Sequence, residues 1–147
     1  MARSVNILLV EDDPNDVMLI RKAVQKILSG IPLAVVPNGQ EAVGYLKGEG
    51  LYANRGVYPF PDIVLLDLKM PLMNGFEVLR WVRQQPRLKR LPVIVLTGSV
   101  QESDARLAYE MGANSYVIKP ADFNQLLEMI KTLGNFWFGG TRLPEAG

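Results

Sequence analysis

Residues 62–79 read DIVLLDLKMPLMNGFEVL. Within them, the run Ile63-Val64-Leu65-Leu66 has no polar alternation and stops on Asp67. A strand covered on both faces has that pattern, because neither side of it meets water. A short loop later, Asn74 and Glu77 stand three positions apart, the spacing of a reciprocal helix cap. Phe76, Leu79 and Val82 then supply an apolar helix face. Strand, acidic residue, loop and helix in that order form the repeating unit of a parallel α/β sheet.

The unit recurs in both directions from this stretch. Upstream, Val5 to Val10 is an apolar run that meets Glu11-Asp12-Asp13, and Val17, Ile20, Val24 and Ile27 follow at helical spacing. Asp13 before Pro14 reads as a helix cap with proline at the first helical position. Leu33 to Val36 lies between Pro32 and Pro37, which suits an edge strand, and Asn38 with Glu41 boxes the start of a short helix. Residues 48–61 make a Gly-, Tyr- and Pro-containing connection of about fourteen residues, long for a compact domain. Downstream, Val93 to Leu96 ends on Thr97, and a helix is expected around Asp104 to Met111. Ser115 to Ile118 ends on Lys119; Asp122 and Gln125 then box a last helix with the face Phe123, Leu126, Leu127, Ile130 and Leu133. The expected fold is a flavodoxin-like α/β domain. Its doubly wound parallel sheet would have five strands in the order 2-1-3-4-5, with helices on both faces.

Composition narrows the chemistry. The 147 residues suit one domain, and no repeat or linker divides them. Cysteine and histidine are both absent, which excludes disulfides, thiolate and imidazole metal sites, Cys nucleophiles and a Ser-His-Asp triad. It also leaves no imidazole to carry a phosphoryl group. Sixteen basic and 15 acidic residues give a net charge of +1, and the pI of 7.9 gives no reason to propose a nucleic-acid partner. Arg80, Arg83, Arg87, Lys89 and Arg90 are accordingly read as a solvated face and loop. No apolar stretch approaches a membrane span or a signal peptide, so a cytoplasmic protein without membrane contact is the expectation.

Ligands of an open α/β sheet bind beyond the carboxyl ends of its strands. Those ends supply Glu11, Asp12 and Asp13, then Asp67, Thr97 and Lys119. Each has an ordinary explanation alone: a cap for Asp13, a loop acid, a turn hydroxyl, a lysine whose stem covers apolar surface. Together they ask for more. Two like charges about 4 Å apart repel by on the order of 4 kcal/mol at an effective dielectric of 20. Glu11, Asp12 and Asp67 against a single Lys119 therefore require raised carboxyl pKa values or a cation. An all-oxygen donor set favours a hard ion, Mg²⁺ first. A carboxylate beside Mg²⁺, a lysine and a hydroxyl are the parts of an aspartyl phosphate acceptor.

At this point the chain resembles the receiver domain of two-component response regulators. The stretches that carry the likeness are ILLVEDDPND (7–16), DIVLLDLKMPLMNGFEVL (62–79), PVIVLTGS (92–99) and GANSYVIKPADF (112–123). They occur in the order and at the spacing of that family, from about Asn6 to Leu133. The resemblance implies that Asp67 accepts the phosphoryl group, that Asp12 ligates Mg²⁺ directly, and that Glu11 acts mainly through water. It implies that Lys69 offers its backbone carbonyl to the metal, and that Thr97 is the switch hydroxyl. Lys119 would precede a cis Pro120, and Tyr116 would be the aromatic that turns inward when Thr97 moves. A plain half-buried strand aromatic remains the other reading of Tyr116. The lysine side chain at position 69 departs from the small polar residue frequent there in the family, and implies an altered dephosphorylation rate of unassigned sign.

The long 48–61 connection and the tail after Leu133 further resemble stand-alone receivers that partner bacterial phytochromes and similar sensor histidine kinases. The expected layout is a receiver domain over 4–134 and an aromatic tail over 135–147, with no output domain. Phe136, Trp137 and Phe138 in that tail suggest a homodimer surface near the last helix, or a tail folded onto its own core. The function implied is phosphoryl acceptance by Asp67 from a kinase phosphohistidine, without enzymatic turnover beyond self-phosphorylation and autodephosphorylation. Three alternatives stay open on the sequence. An Asp-nucleophile phosphohydrolase would want a second Asp where Lys69 stands. A flavin module would want a phosphate loop where Glu11-Asp12-Asp13 stands. A degenerate receiver would serve only as a scaffold.

Overall fold

The computed structural model describes residues 5–140. Five parallel strands form one sheet: β1 (Ile7–Val10), β2 (Leu33–Val36), β3 (Ile63–Leu66), β4 (Val93–Thr97) and β5 (Ser115–Ile118). Their order is β2-β1-β3-β4-β5, as expected. Ile7 sits opposite Leu33 on one side and Ile63 on the other, Val64 opposite Val93, and Ile94 opposite Ser115. The helices are α1 (Pro14–Ile27), α2 (Gly39–Lys47), α3 (Gly75–Gln84), α4 (Glu102–Glu110) and α5 (Phe123–Gly134).

The two faces of the sheet bury separate cores, and alternate residues of each strand supply them. Leu8, Val10, Val64, Leu66, Val93 and Val95 point to the side covered by α2, α3 and α4. Ile7, Leu9, Ile63, Leu65, Ile94 and Leu96 point to the side covered by the adjoining α1 and α5. This double burial is why β1, β3 and β4 read as unbroken apolar runs. The proline-bordered β2 lies at an edge, as its flanks predict.

The caps hold the helices against the sheet's carboxyl edge. Asp13 accepts hydrogen bonds from the backbone of Asn15 and Asp16 ahead of Pro14. Asn74 and Glu77 form the full reciprocal box at α3. Asn38 accepts from Glu41 N–H, but Glu41 does not reciprocate: its carboxylate takes the hydroxyl of Tyr52 at 2.7 Å instead. Asp122 likewise caps α5 through Asn124 and Gln125 N–H without a return bond. The helix expected from Asp104 begins two residues earlier, at Glu102, with no side-chain cap. The 48–61 connection contains a 3₁₀ turn, Gly50–Ala53, and its Tyr52 and Tyr58 pack edge-on or tilted against buried Tyr45.

Three further expectations are corrected. Arg83 is not a solvated cation. Its guanidinium donates to the carbonyls of Leu88, Leu91 and Gly112 and to Asn114 Oδ1, at 2.8–3.4 Å, and so ties the end of α3 to the loops that lead into β4 and into β5. Burial lowers its pKa. The other members of that basic cluster, Arg80, Arg87, Lys89 and Arg90, are exposed as expected. The peptide bond preceding Pro120 is trans; the described residues contain no cis bond. Finally, the aromatic tail is not one surface. After α5 the chain makes a π-helical turn, Asn135–Gly140, which buries Trp137 in the α1/α5 core and half-buries Phe138, leaving Phe136 exposed. Residues 1–4 and 141–147, including Ser4 at the expected domain start and Leu143-Pro144 of the tail, lie outside the described residues.

Candidate functional site

Four neighbouring strands deliver their carboxyl ends to one edge. β1 is followed by Glu11 and Asp12, β3 by Asp67, β4 ends on Thr97, and β5 is followed by Lys119. Glu11, Asp67 and Thr97 are buried, whereas Asp12 is exposed. Carboxylate oxygens of Glu11, Asp12 and Asp67 lie within 4.8 Å of one another.

Lys119 crosses this edge. Its ammonium stands 2.5 Å from Glu11 Oε1, 2.8 Å from Asp16 Oδ2 and 3.3 Å from Asp67 Oδ2. Burial alone would lower the Lys119 pKa; hydrogen bonds to Asp16 and Glu11 and the charge of Asp67 outweigh it and raise it. Burial raises the Glu11 carboxyl to about 7, with Asp67 pushing the same way and Lys119 and the Asp13 N–H opposing. Glu11 Oε2 takes that N–H at 3.1 Å. The second oxygen of Asp67 is held by the N–H of Leu68 at 2.7 Å, which sets the orientation of the carboxylate.

One ammonium thus pairs with three acids, Glu11, Asp16 and Asp67, and Asp12 adds a fourth carboxylate beside Glu11 and Asp67. The excess negative charge and the all-oxygen donors fit a hard divalent cation, and the exposure of Asp12 leaves room for the waters such an ion keeps. Lys69, two residues after Asp67, is exposed.

Sequence reasoning did not single out two residues of this site. Asp16 lies in the matched stretch 7–16, and only the phase of α1 brings it to a lysine 103 positions away. Ser99 links the expected switch residues: its N–H reaches Thr97 Oγ1 at 3.4 Å, its carbonyl accepts the Tyr116 hydroxyl at 3.0 Å, and its own hydroxyl donates to Asp104 at 2.6 Å. Tyr116 is half-buried, and its N–H donates to the Tyr109 hydroxyl. In the sequence Ser99 stands only as the last residue of the matched stretch PVIVLTGS (92–99).

A five-stranded 2-1-3-4-5 sheet with paired acids, an aspartate, a hydroxyl and a lysine at its carboxyl edge defines a receiver-type α/β protein. The chain belongs to the response regulator receiver domain family, whose match spans residues 7–131. It is 36% identical to the response regulator Rcp1 of Synechocystis sp., over 95% of this chain and 93% of that one. The Mn²⁺-bound structure of Rcp1 superposes with a TM-score of 0.82, covering 96% of this chain and 99% of that one. The phosphorylated cyanobacterial phytochrome response regulator RcpA gives a TM-score of 0.89 at 38% identity, over 97% of this chain and all of RcpA. RPA3017, a response regulator in red light signalling of R. palustris, gives 0.91 at 33% identity, over 97% and 99% of the two chains. Among the described residues no helix is long and apolar enough to cross a membrane.

Proposed function

We propose that this protein accepts a phosphoryl group on Asp67 from the phosphohistidine of a separate sensor histidine kinase. The observation that carries the reading is the buried Asp67 carboxylate, oriented by Leu68 N–H and flanked by the Lys119 ammonium and the Glu11/Asp12 pair. A carboxylate oxygen of Asp67 attacks phosphorus, the P–N bond to the donor imidazole breaks, and the imidazole leaves with a proton taken from solvent. The product is a mixed anhydride on Asp67. Glu11, Asp12 and Asp67, with the Lys69 carbonyl, would hold Mg²⁺, which supplies neutralisation of the charge on the transferring oxygens. Lys119 contributes a fixed positive charge to the same oxygens. The 147 residues include no histidine, so the donor imidazole lies outside them.

Thr97 and Tyr116 would report the modification. The Thr97 hydroxyl leaves the Ser99 N–H for a phosphoryl oxygen, the 98–101 loop follows, and the Tyr116 hydroxyl loses its seat on the Ser99 carbonyl. The altered surface would change contacts with partners or with a second copy, through α5 and the exposed Phe136; Trp137 and Phe138 serve the chain's own core. The likeness to the phytochrome response regulator RcpA supports a bacterial phytochrome as the kinase. The protein would act in the cytoplasm, as a signalling protein and not as a turnover enzyme. Lys69 stands where a phosphohydrolase would need its acid.

Intact mass after incubation with acetyl phosphate and Mg²⁺ tests this. The parent is expected to gain one phosphoryl group, and Asp67→Asn none. Equal labelling of both, or none with either, refutes the reading. Sedimentation of the labelled and unlabelled protein tests the dimer: identical monomers in both states would refute it.

A further inference from the structure

Leu72 has a φ of 68°, the only positive φ outside glycine among the described residues. The N–H of Met73 donates across it to the carbonyl of Pro71 at 2.8 Å. A three-residue turn with positive φ at its centre is rare and strained, and for a bulky side chain such a backbone is an outlier. Such a conformation persists only where the surroundings impose it. Here the Met73 carbonyl accepts from Gly39 N–H at 3.1 Å, and Gly75 N–H donates to the Leu68 carbonyl at 2.9 Å, so the loop is pinned on both sides of Leu72.

The fold makes no use of the leucine side chain. It is 72% exposed and belongs to neither core. Glycine or asparagine would occupy the turn with less strain. The residue nevertheless sits on the loop that starts at Asp67. Two more exposed apolar residues, Met18 early in α1 and Val100 just after β4, stand on segments of the same sheet edge. Stability alone therefore does not account for a leucine held out in this backbone.

We propose that Leu72 is a partner-reading residue: its side chain enters an apolar groove on the protein segment that presents the phosphohistidine, and so selects which donor proteins dock on Asp67. This rests on Asp67 being the acceptor. The 67–75 loop runs directly from Asp67 to α3, so a protein donor docked on Asp67 would lie against it and meet the exposed Leu72. A small acyl phosphate reaches the same oxygen without that contact. Partner specificity and intrinsic acceptance are thereby carried by different atoms.

The test compares the parent with Leu72→Asn and Leu72→Met. Each is phosphorylated by acetyl phosphate with Mg²⁺, and by whichever autophosphorylated histidine kinase of the same organism labels the parent fastest. Burying a leucine side chain is worth roughly a ten- to hundredfold change in association. Leu72→Asn is expected to lower kinase kcat/KM by about that factor, chiefly through KM, with acetyl phosphate labelling within twofold of the parent. Leu72→Met is expected to recover most of the kinase rate. The urea midpoint of Leu72→Asn should equal or exceed the parent's, which shows that the loss is not one of folding. Kinase transfer to Leu72→Asn within twofold of the parent overturns the inference. So does a parallel loss with both donors, which would place Leu72 in the acceptor site itself. If acetyl phosphate fails to label the parent, the acceptor reading falls, and this inference with it.

Discussion

Replacing Gly75 with alanine should damage the acceptor site from behind. Gly75 opens α3 against the backbone of the residues that carry Asp67. A Cβ built there overlaps the Asp67 carbonyl oxygen and lies 2.8 Å from Leu68 Cα and 3.0 Å from the Asp67 carbonyl carbon. Ordinary carbon contacts begin near 3.5 Å, so one backbone must retreat by roughly 0.5–1 Å. These atoms cannot swing aside like the tip of a side chain. Asp67 N–H is bonded to the Val10 carbonyl and Gly75 N–H to the Leu68 carbonyl. Overpacking of this kind costs about 1–3 kcal/mol, read as a lower urea midpoint. A displacement near 1 Å at a reacting carboxylate costs on the order of a hundredfold in rate, read as slower mass gain from acetyl phosphate. Gly44→Ala is the control. It lies within α2, its added Cβ meets nothing closer than the Tyr52 ring at 3.9 Å, and it should stabilise by about 0.5–1 kcal/mol without altering labelling. If Gly75→Ala matches Gly44→Ala in both midpoint and labelling rate, the close approach does not constrain the site and the reasoning fails.

Lys119→Met leaves Glu11, Asp16 and Asp67 without their shared cation. The metal-free variant should lose on the order of 3 kcal/mol, with part of that restored by millimolar Mg²⁺ in urea titrations. A loss that Mg²⁺ does not touch would mean that the acids do not share a metal site. Arg83→Ala strips the donors from carbonyls ahead of β4 and β5 and should cost about 2–4 kcal/mol, and Arg83→Lys should not rescue it, because an ammonium lacks the planar fork. Thermal midpoints of the two variants check this. Burial and the hydrogen bond to Glu41 push the Tyr52 phenol up to about 12 from an ordinary 10. The folded state holds that proton more tightly than the unfolded chain. Its contribution is therefore complete below pH 10 and lost as pH rises toward 12. Urea midpoints across that interval should fall more steeply for the parent than for Tyr52→Phe, and tyrosinate absorbance should report the delayed ionisation.

The strands and helices were legible because burial leaves a periodic mark. β1, β3 and β4 are covered on both faces and read as solid apolar runs, and each runs into a polar residue at the sheet's carboxyl edge. Asp13-Pro14 and Asn74–Glu77 marked helix starts because capping is a local exchange of hydrogen bonds between residues a few positions apart. The half-formed box at Asn38 shows where that logic ends: Tyr52, eleven residues beyond Glu41, competes for the carboxylate. Arg83 misled for a related reason. Its spacing matches a solvated helix face, but the carbonyls that claim it come from the loops that lead into β4 and into β5. Trp137 could be read as surface or core until the chain beyond α5 turned back over the α1/α5 side.

From the order of its residues alone, the chain specified its strands, its helices and which acids, hydroxyl and ammonium stand at strand ends. Those properties follow from backbone geometry and from the exclusion of water, which act on neighbours in sequence. Tertiary structure alone decided that Asp16 shares Lys119 with Glu11 and Asp67, that Ser99 joins Thr97 to Tyr116, and that Leu72 is held outward in a left-handed turn. Each depends on distances between segments far apart in the chain, which are fixed only when the two cores close.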